Sequence, residues 1–207
     1  MLPAGLYPIQ HLWKLVETKG EVRMPLSIKL QELVDRIARN REKLLQSISG
    51  LSDAQLNHKS DQNAWSICDV LNHVSLVDEA NAKLTSNMVK RARADNLSPD
   101  PSPDASELHS MDDVFARIGS SKFQAPDFVA PHAHSSVEES LARLKASRER
   151  MLANVEQLDG FDLSGLTYPH PAAGPLNTYQ WVLMAGAHES RHAEQINRMK
   201  ATPGFPG

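Results

Sequence analysis

His188 and His192 stand four residues apart in the run His188-Glu189-Ser190-Arg191-His192, and His73 lies far upstream in Val70-Leu71-Asn72-His73-Val74. In a helix each residue advances about 100°, so His188 and His192 project from one face about 40° apart. Gln195 falls about 20° to the other side of His188 and continues the polar row. His73 sits between Val70 and Val77, inside an otherwise apolar stripe. Three imidazoles therefore occupy positions where a helical core wants leucine. Buried without partners, they would cost roughly several kcal/mol between them. A divalent ion turns that cost into a gain, because three neutral nitrogens at about 2.0–2.1 Å with a position left for water form a common catalytic arrangement. The spacing predicts that the three rings meet around one ion. It also predicts an affinity that falls as pH drops through about 6, where protons compete for imidazole.

Each residue has a plainer reading as well. A single histidine in a helix stripe, such as His73, is commonly a hydrogen-bonded core residue. The run from His188 to His192 matches H-E-x-x-H, in which the glutamate serves a zinc protease as general base. Such enzymes take a third ligand from downstream, and only Ala193–Gly207 follow here, with Glu194 turned away on the same helix. The peptidase reading is therefore poorly supported. Glu189 and Asp69 are the candidate catalytic carboxylates, although Asp69 is equally well placed to cap a helix. Arg191 suits an anionic substrate or plain solvent exposure. His170, in Tyr168-Pro169-His170-Pro171, either lines the mouth of the site or belongs to a loop. His11, His58, His109, His132 and His134 fall in polar stretches and are expected to be exposed.

Four long segments have the periodicity to carry these residues. The first runs from about Leu26 to Ser49, with Leu30, Leu33, Val34, Ile37, Leu44 and Ile48 at steps of three, four or seven. The second opens at Ser66, with Asp69 three residues on, and runs to about Ala94 along Ile67, Val70, Leu71, Val74, Val77, Leu84 and Met88. The third starts near Ser135 or Ser136 and ends at Gly160. The fourth is capped by Asn177 with Gln180 and stops near Lys200, before Pro203. Ser52 with Gln55 opens a short turn. Pro99, Pro101, Pro103, Pro126 and Pro131 preclude a long helix over 95–134, leaving room for one short helix near Met111–Ile118. Tyr168–Pro175 is expected to be a loop. The expected fold is all-α: a four-helix bundle over residues 25–202, with a long Pro-rich connection between helices 2 and 3. Residues 1–24 are expected to be an N-terminal appendage or arm, with apolar Leu2–Val16 and Trp13.

These motifs resemble the DinB-like, damage-inducible superfamily. The resemblance rests on Asn63-Ala64-Trp65-Ser66 leading into Val70–Val74, and on His170–Asn177, Trp181 and His188–Ile196. It covers about residues 26–200. It implies a four-helix bundle with one divalent metal, often nickel or zinc, on His73, His188 and His192. It also implies relatives that include metal-dependent hydrolases and thiol-dependent transferases, and frequent homodimers.

Composition narrows the remaining classes. The 207 residues are 41% hydrophobic and 23% charged, which suits one folded domain rather than a disordered chain. A formal charge of −3, with Lys and Arg scattered among acids, gives no sign of a basic face for nucleic acid. No apolar run approaches the roughly 20 residues that span a bilayer. One cysteine, Cys68, allows no internal disulfide, and a cytoplasmic location is expected. Two functions remain open: a metal-dependent enzyme, hydrolase or thiol transferase, acting on a small molecule; or a non-enzymatic metal-binding or stress-response module.

Overall fold

The structure, a computed structural model, describes residues 25–118, 125–131 and 135–207. Residues 1–24, with His11 and Trp13, and His132 and His134 lie outside the described residues. Along the chain come α1 (Ile28–Ile48), the one-turn α2 (Asp53–Leu56), α3 (Ile67–Ala94), the short α4 (Asp112–Ile118), α5 (Val137–Leu158), strands β1 (Thr167–His170) and β2 (Gly174–Asn177), and α6 (Thr178–Lys200). A 3-10 turn at Asp127–Val129 precedes α5.

Polar caps set the helix starts. Ser27 accepts from the Leu30 amide at α1. Four reciprocal capping boxes, Ser52 with Gln55, Ser66 with Asp69, Ser136 with Glu139 and Asn177 with Gln180, open α2, α3, α5 and α6. Each satisfies backbone donors that a helix start leaves unpaired.

The apolar stripes then bury themselves as two clusters. One joins Leu33 and Ile37 with Ala82, Met88, Met151, Val155, Val182 and Ala185. The other joins Leu44 and Ile48 with Val70, Val74, Leu144, Ala193 and Ile196. Every long helix contributes one half to each cluster, which fixes the directions. α1 and α6 run one way, and α3 and α5 run the other. The tightest neighbours are these parallel pairs, α1 with α6 and α3 with α5.

Parallel α3 and α5 explain the long connection, since the chain must return along the whole bundle before α5 can begin. It is tied down on the way. The Asp100 amide bonds Gly160 O at 2.9 Å. The Asp100 carboxylate takes Lys29 Nζ at 2.8 Å and the Tyr179 hydroxyl at 3.1 Å. Burial alone would push this carboxyl up, but the bonds from Lys29, Ser102 and Tyr179 outweigh it and hold it below the usual range. Met111 and Val114 of the crossover are buried in the first cluster.

Two details differ from the sequence reading. Tyr168–Pro175 is not a loop but the heart of an antiparallel hairpin, with Tyr168 opposite Leu176 and Pro169 opposite Pro175. The prolines hid it. Facing each other, they can occupy only a pair that exchanges no N–H bonds, a place where proline is harmless. In α3, Val77 and Leu84 are only partly buried, and Asp78, Asn81 and Thr85 take the inward positions.

Gly186 marks the closest approach of α6 to α1. A Cβ there would lie 2.9 Å from Ile37 Cγ2 and 3.1 Å from Ile37 Cα. The side-chain tip can move; the backbone atom cannot. Gly186→Ala should therefore destabilise the protein despite the roughly 1 kcal/mol that alanine gains over glycine in a helix, because overpacking costs about 1–3 kcal/mol. Urea unfolding checks this, and a more stable variant would show that the helices are not in contact at this point.

Candidate metal centre

His73 leaves α3 two turns past the Ser66 cap, and His188 and His192 leave α6 on the face that meets α3. The Nε2 atoms converge: His188 Nε2 lies 3.2 Å from His73 Nε2 and 3.1 Å from His192 Nε2. Ring centroids are 4.4–5.1 Å apart. Among the described residues this is the one group of His, Cys, Asp or Glu side chains placed to hold a metal ion, with ligand atoms all within 4.8 Å of one another. Three nitrogens bound to one ion at about 2.0–2.1 Å would themselves stand about 3.2–3.4 Å apart. His73 and His192 are buried and His188 partly so.

The outward nitrogens fix which protons are present. His73 Nδ1 lies 2.7 Å from Val129 O, and a carbonyl can only accept, so Nδ1 carries the hydrogen. His192 Nδ1 lies 2.8 Å from Gln195 Oε1 and donates in the same way. Both inward Nε2 atoms are therefore bare lone pairs aimed at His188, which has at most one proton to offer at Nε2. Hydrogen bonds within the cluster cannot satisfy it; a cation among the three nitrogens can. This observation fits the trio to a metal. His188 differs in one respect, since its buried Nδ1 has no hydrogen-bond partner among the described residues.

The other sequence candidates scatter. Gln195 orients His192, as above. Asp69 closes the capping box of α3, accepting from the Ser66 amide at 2.9 Å and pairing with Lys59 at 2.9 Å. The carboxylate of Glu189 is fully buried and held by Arg41 and Arg148. One residue along from His188, it faces the core instead. His170 Nδ1 accepts from the Ala172 and Ala173 amides, each at 3.1 Å, leaving its proton on Nε2. It is a donor on β1, packed on Trp181 with ring centroids 5.1 Å apart. Arg191 is exposed, yet close enough for its charge to act on His188 and His192. His109 is exposed as expected, whereas His58 is half-buried against Phe205.

The sequence model of the DinB superfamily matches residues 36–196. The chain belongs to the DinB superfamily. The chain is 29% identical over 154 residues to the uncharacterized protein YuaE of Bacillus subtilis (strain 168), covering 74% of this chain and 88% of the relative. The crystal structure of TT2238, a four-helix bundle protein, matches with a TM-score of 0.55 at 22% identity, over 82% of this chain and 99% of that one. That likeness speaks to the fold alone. For this DinB superfamily chain, no helix among the described residues is long and apolar enough to cross a membrane.

Burial, followed by the neighbouring imidazoles, pushes His188 well below the ordinary histidine range. The same causes take His192 down to about 4, and burial lowers His73. Protonation of the metal-free cluster therefore sets in below the pH of about 6 expected for free rings. The folded state binds fewer protons than the unfolded chain, so stability is complete above the ordinary value of 6.5 and is lost as pH falls toward about 4. Asp78, raised by burial and by Glu189, works the other way, but as one group against three. Urea unfolding of metal-free protein should show stability falling across this window. A flat profile from pH 7 to about 4.5 would contradict the burial of the rings.

Proposed function

We propose that this chain is a metal-dependent enzyme acting on a small molecule, a hydrolase or a thiol-dependent transferase. His73, His188 and His192 would hold one divalent ion, nickel or zinc. The observation that carries the reading is the convergence of three Nε2 atoms whose outward nitrogens, at His73 and His192, are already committed to Val129 and Gln195. A divalent ion at that point would supply Lewis acidity, bringing the pKa of a water or thiol toward neutrality.

The chain's own residues have separate tasks in this reading. Val129 O and Gln195 hold the rings in the metal-ready tautomer. Trp65, with its ring centroid 5.2 Å from that of His73, shields one side. Partly open His188 is the side for a substrate to approach, with the exposed Arg191 beside it for an anionic group. A homodimer is part of the proposal and rests on the family resemblance; light scattering at micromolar concentration checks it.

The burial of His73 and His192 supports a second reading, a non-enzymatic module with a structural ion. Chelation separates the two. Loss of turnover against a panel of small esters, amides and thiol acceptors, with helical signal kept, supports the enzyme. Unfolding on chelation, with no turnover before it, supports the structural role and refutes the enzyme.

A further inference from the structure

Between the two apolar clusters the core is ionic. Each long helix places one charged residue at this level, within its apolar stripe. Arg41 follows Ile37 and precedes Leu44 on α1, and Asp78 lies between Val74 and Ala82 on α3. Arg148 lies between Leu144 and Met151 on α5, and Glu189 between Ala185 and Ala193 on α6. Arg41 Nε donates to Glu189 Oε2 at 3.0 Å and Arg41 Nη2 to Oε1 at 2.6 Å. Arg148 Nη2 reaches the same Oε1 at 2.6 Å, and Arg41 Nη2 also holds Asp78 Oδ2. The two arginines reach across to opposite backbones as well, Arg41 to Leu144 O at 3.1 Å and Arg148 to Ile37 O at 3.0 Å.

Stability alone does not call for such a layer. A buried ionic cluster is often no more stable than apolar side chains of the same volume, because desolvation consumes the Coulombic gain. Here one oxygen of the carboxyl group, Asp78 Oδ1, is buried with no hydrogen-bond partner among the described residues. What the layer has that leucines lack is direction. An apolar stripe tolerates small rotations and slides of a helix, whereas a carboxylate gripped on both oxygens by arginines from two other helices does not. Glu189 is the immediate neighbour of His188 and three residues from His192, so whatever fixes Glu189 also fixes the angle at which both imidazoles face α3.

We propose that Arg41, Asp78, Arg148 and Glu189 are positioning residues, an ionic layer that sets the rotation and register of α6 so that His188 and His192 meet His73 in ligand geometry. This rests on the reading of the three histidines as a metal site. The layer touches neither ion nor substrate; it acts through the helix.

The test replaces the layer as a unit, with Arg41→Met, Asp78→Leu, Arg148→Met and Glu189→Leu together, and follows two signals. Cobalt(II) serves as the metal probe. Imidazole nitrogen spectra of the metal-free protein report the tautomers, with His73 and His192 protonated at Nδ1 in the parent. The apolar variant should keep its helical signal and unfolding midpoint. It should lose about ten-fold or more in cobalt affinity, the range seen when a ligand's supporting partners are removed, and show mixed imidazole tautomers. Unchanged affinity and spectra in a folded variant would overturn the proposal. Should the four-site variant not fold, Glu189→Gln, nearly isosteric, decides by the same two signals. A parent protein that takes up no cobalt would count against the metal reading, while the imidazole spectra would still judge the positioning role.

Discussion

Glu189→Ala should be the most damaging single substitution in this chain, costing about 3–5 kcal/mol. The carboxylate is fully buried and holds Arg41 and Arg148. Its removal leaves two guanidinium groups in the core with only Asp78 as a counter-charge, and burial, the largest influence on Asp78, still opposes its ionisation once Glu189 is gone. Glu189 is the opposite case: burial opposes its charge, but Arg148 and Arg41 more than offset this and keep it ionised. Against a total stability of about 5–15 kcal/mol, the loss is a large fraction. Denaturant unfolding of the purified variant measures it. A cost under about 1 kcal/mol would mean that the arginines find water or other partners, and that the layer is not closed.

His188→Ala should have a different signature: a severe loss of metal with the fold retained. Removing one of three ligands should lower affinity by more than the roughly 10–100-fold that follows loss of a ligand's supporting partner. Gln195→Ala, which frees His192 Nδ1 but keeps all three rings, should fall within that smaller range. The helical signal should persist in both, because the apolar stripes on α6, from Val182 and Ala185 to Ala193 and Ile196, are untouched. Titration with nickel or zinc followed by calorimetry, beside circular dichroism, separates the two losses. Retention of full affinity by His188→Ala would remove that ring from the site.

The histidines were legible in the sequence because imidazoles break an apolar stripe, and the caps because Ser or Asn three residues before Gln, Glu or Asp has a direct structural meaning. The four charges of the ionic layer interrupt the apolar stripes in the same way. Arg41, Asp78, Arg148 and Glu189 each stand where their stripe steps over a turn, for example between Ile37 and Leu44. Charged residues in a stripe are easily passed over as exposed, since one residue of slippage in an assumed helix face moves them to the surface. Glu189 was instead read through the H-E-x-x-H pattern, which fixes spacing but says nothing of which face meets water. The clamp on His73 was out of reach for another reason. Val129 contributes a backbone carbonyl from a turn 56 residues away, and any residue type offers that group. The hairpin before α6 was hidden by its prolines, whose pairing depends on register rather than composition.

The central claim is that His73, His188 and His192 bind one divalent ion together. X-ray absorption at the metal edge of protein stripped and reloaded with one equivalent of nickel or zinc at neutral pH tests it most directly. One tightly held ion should appear, with three imidazole nitrogens at about 2.0–2.1 Å for zinc. Failure to retain either metal at micromolar concentration, or an ion bound by fewer than three imidazoles, would contradict it.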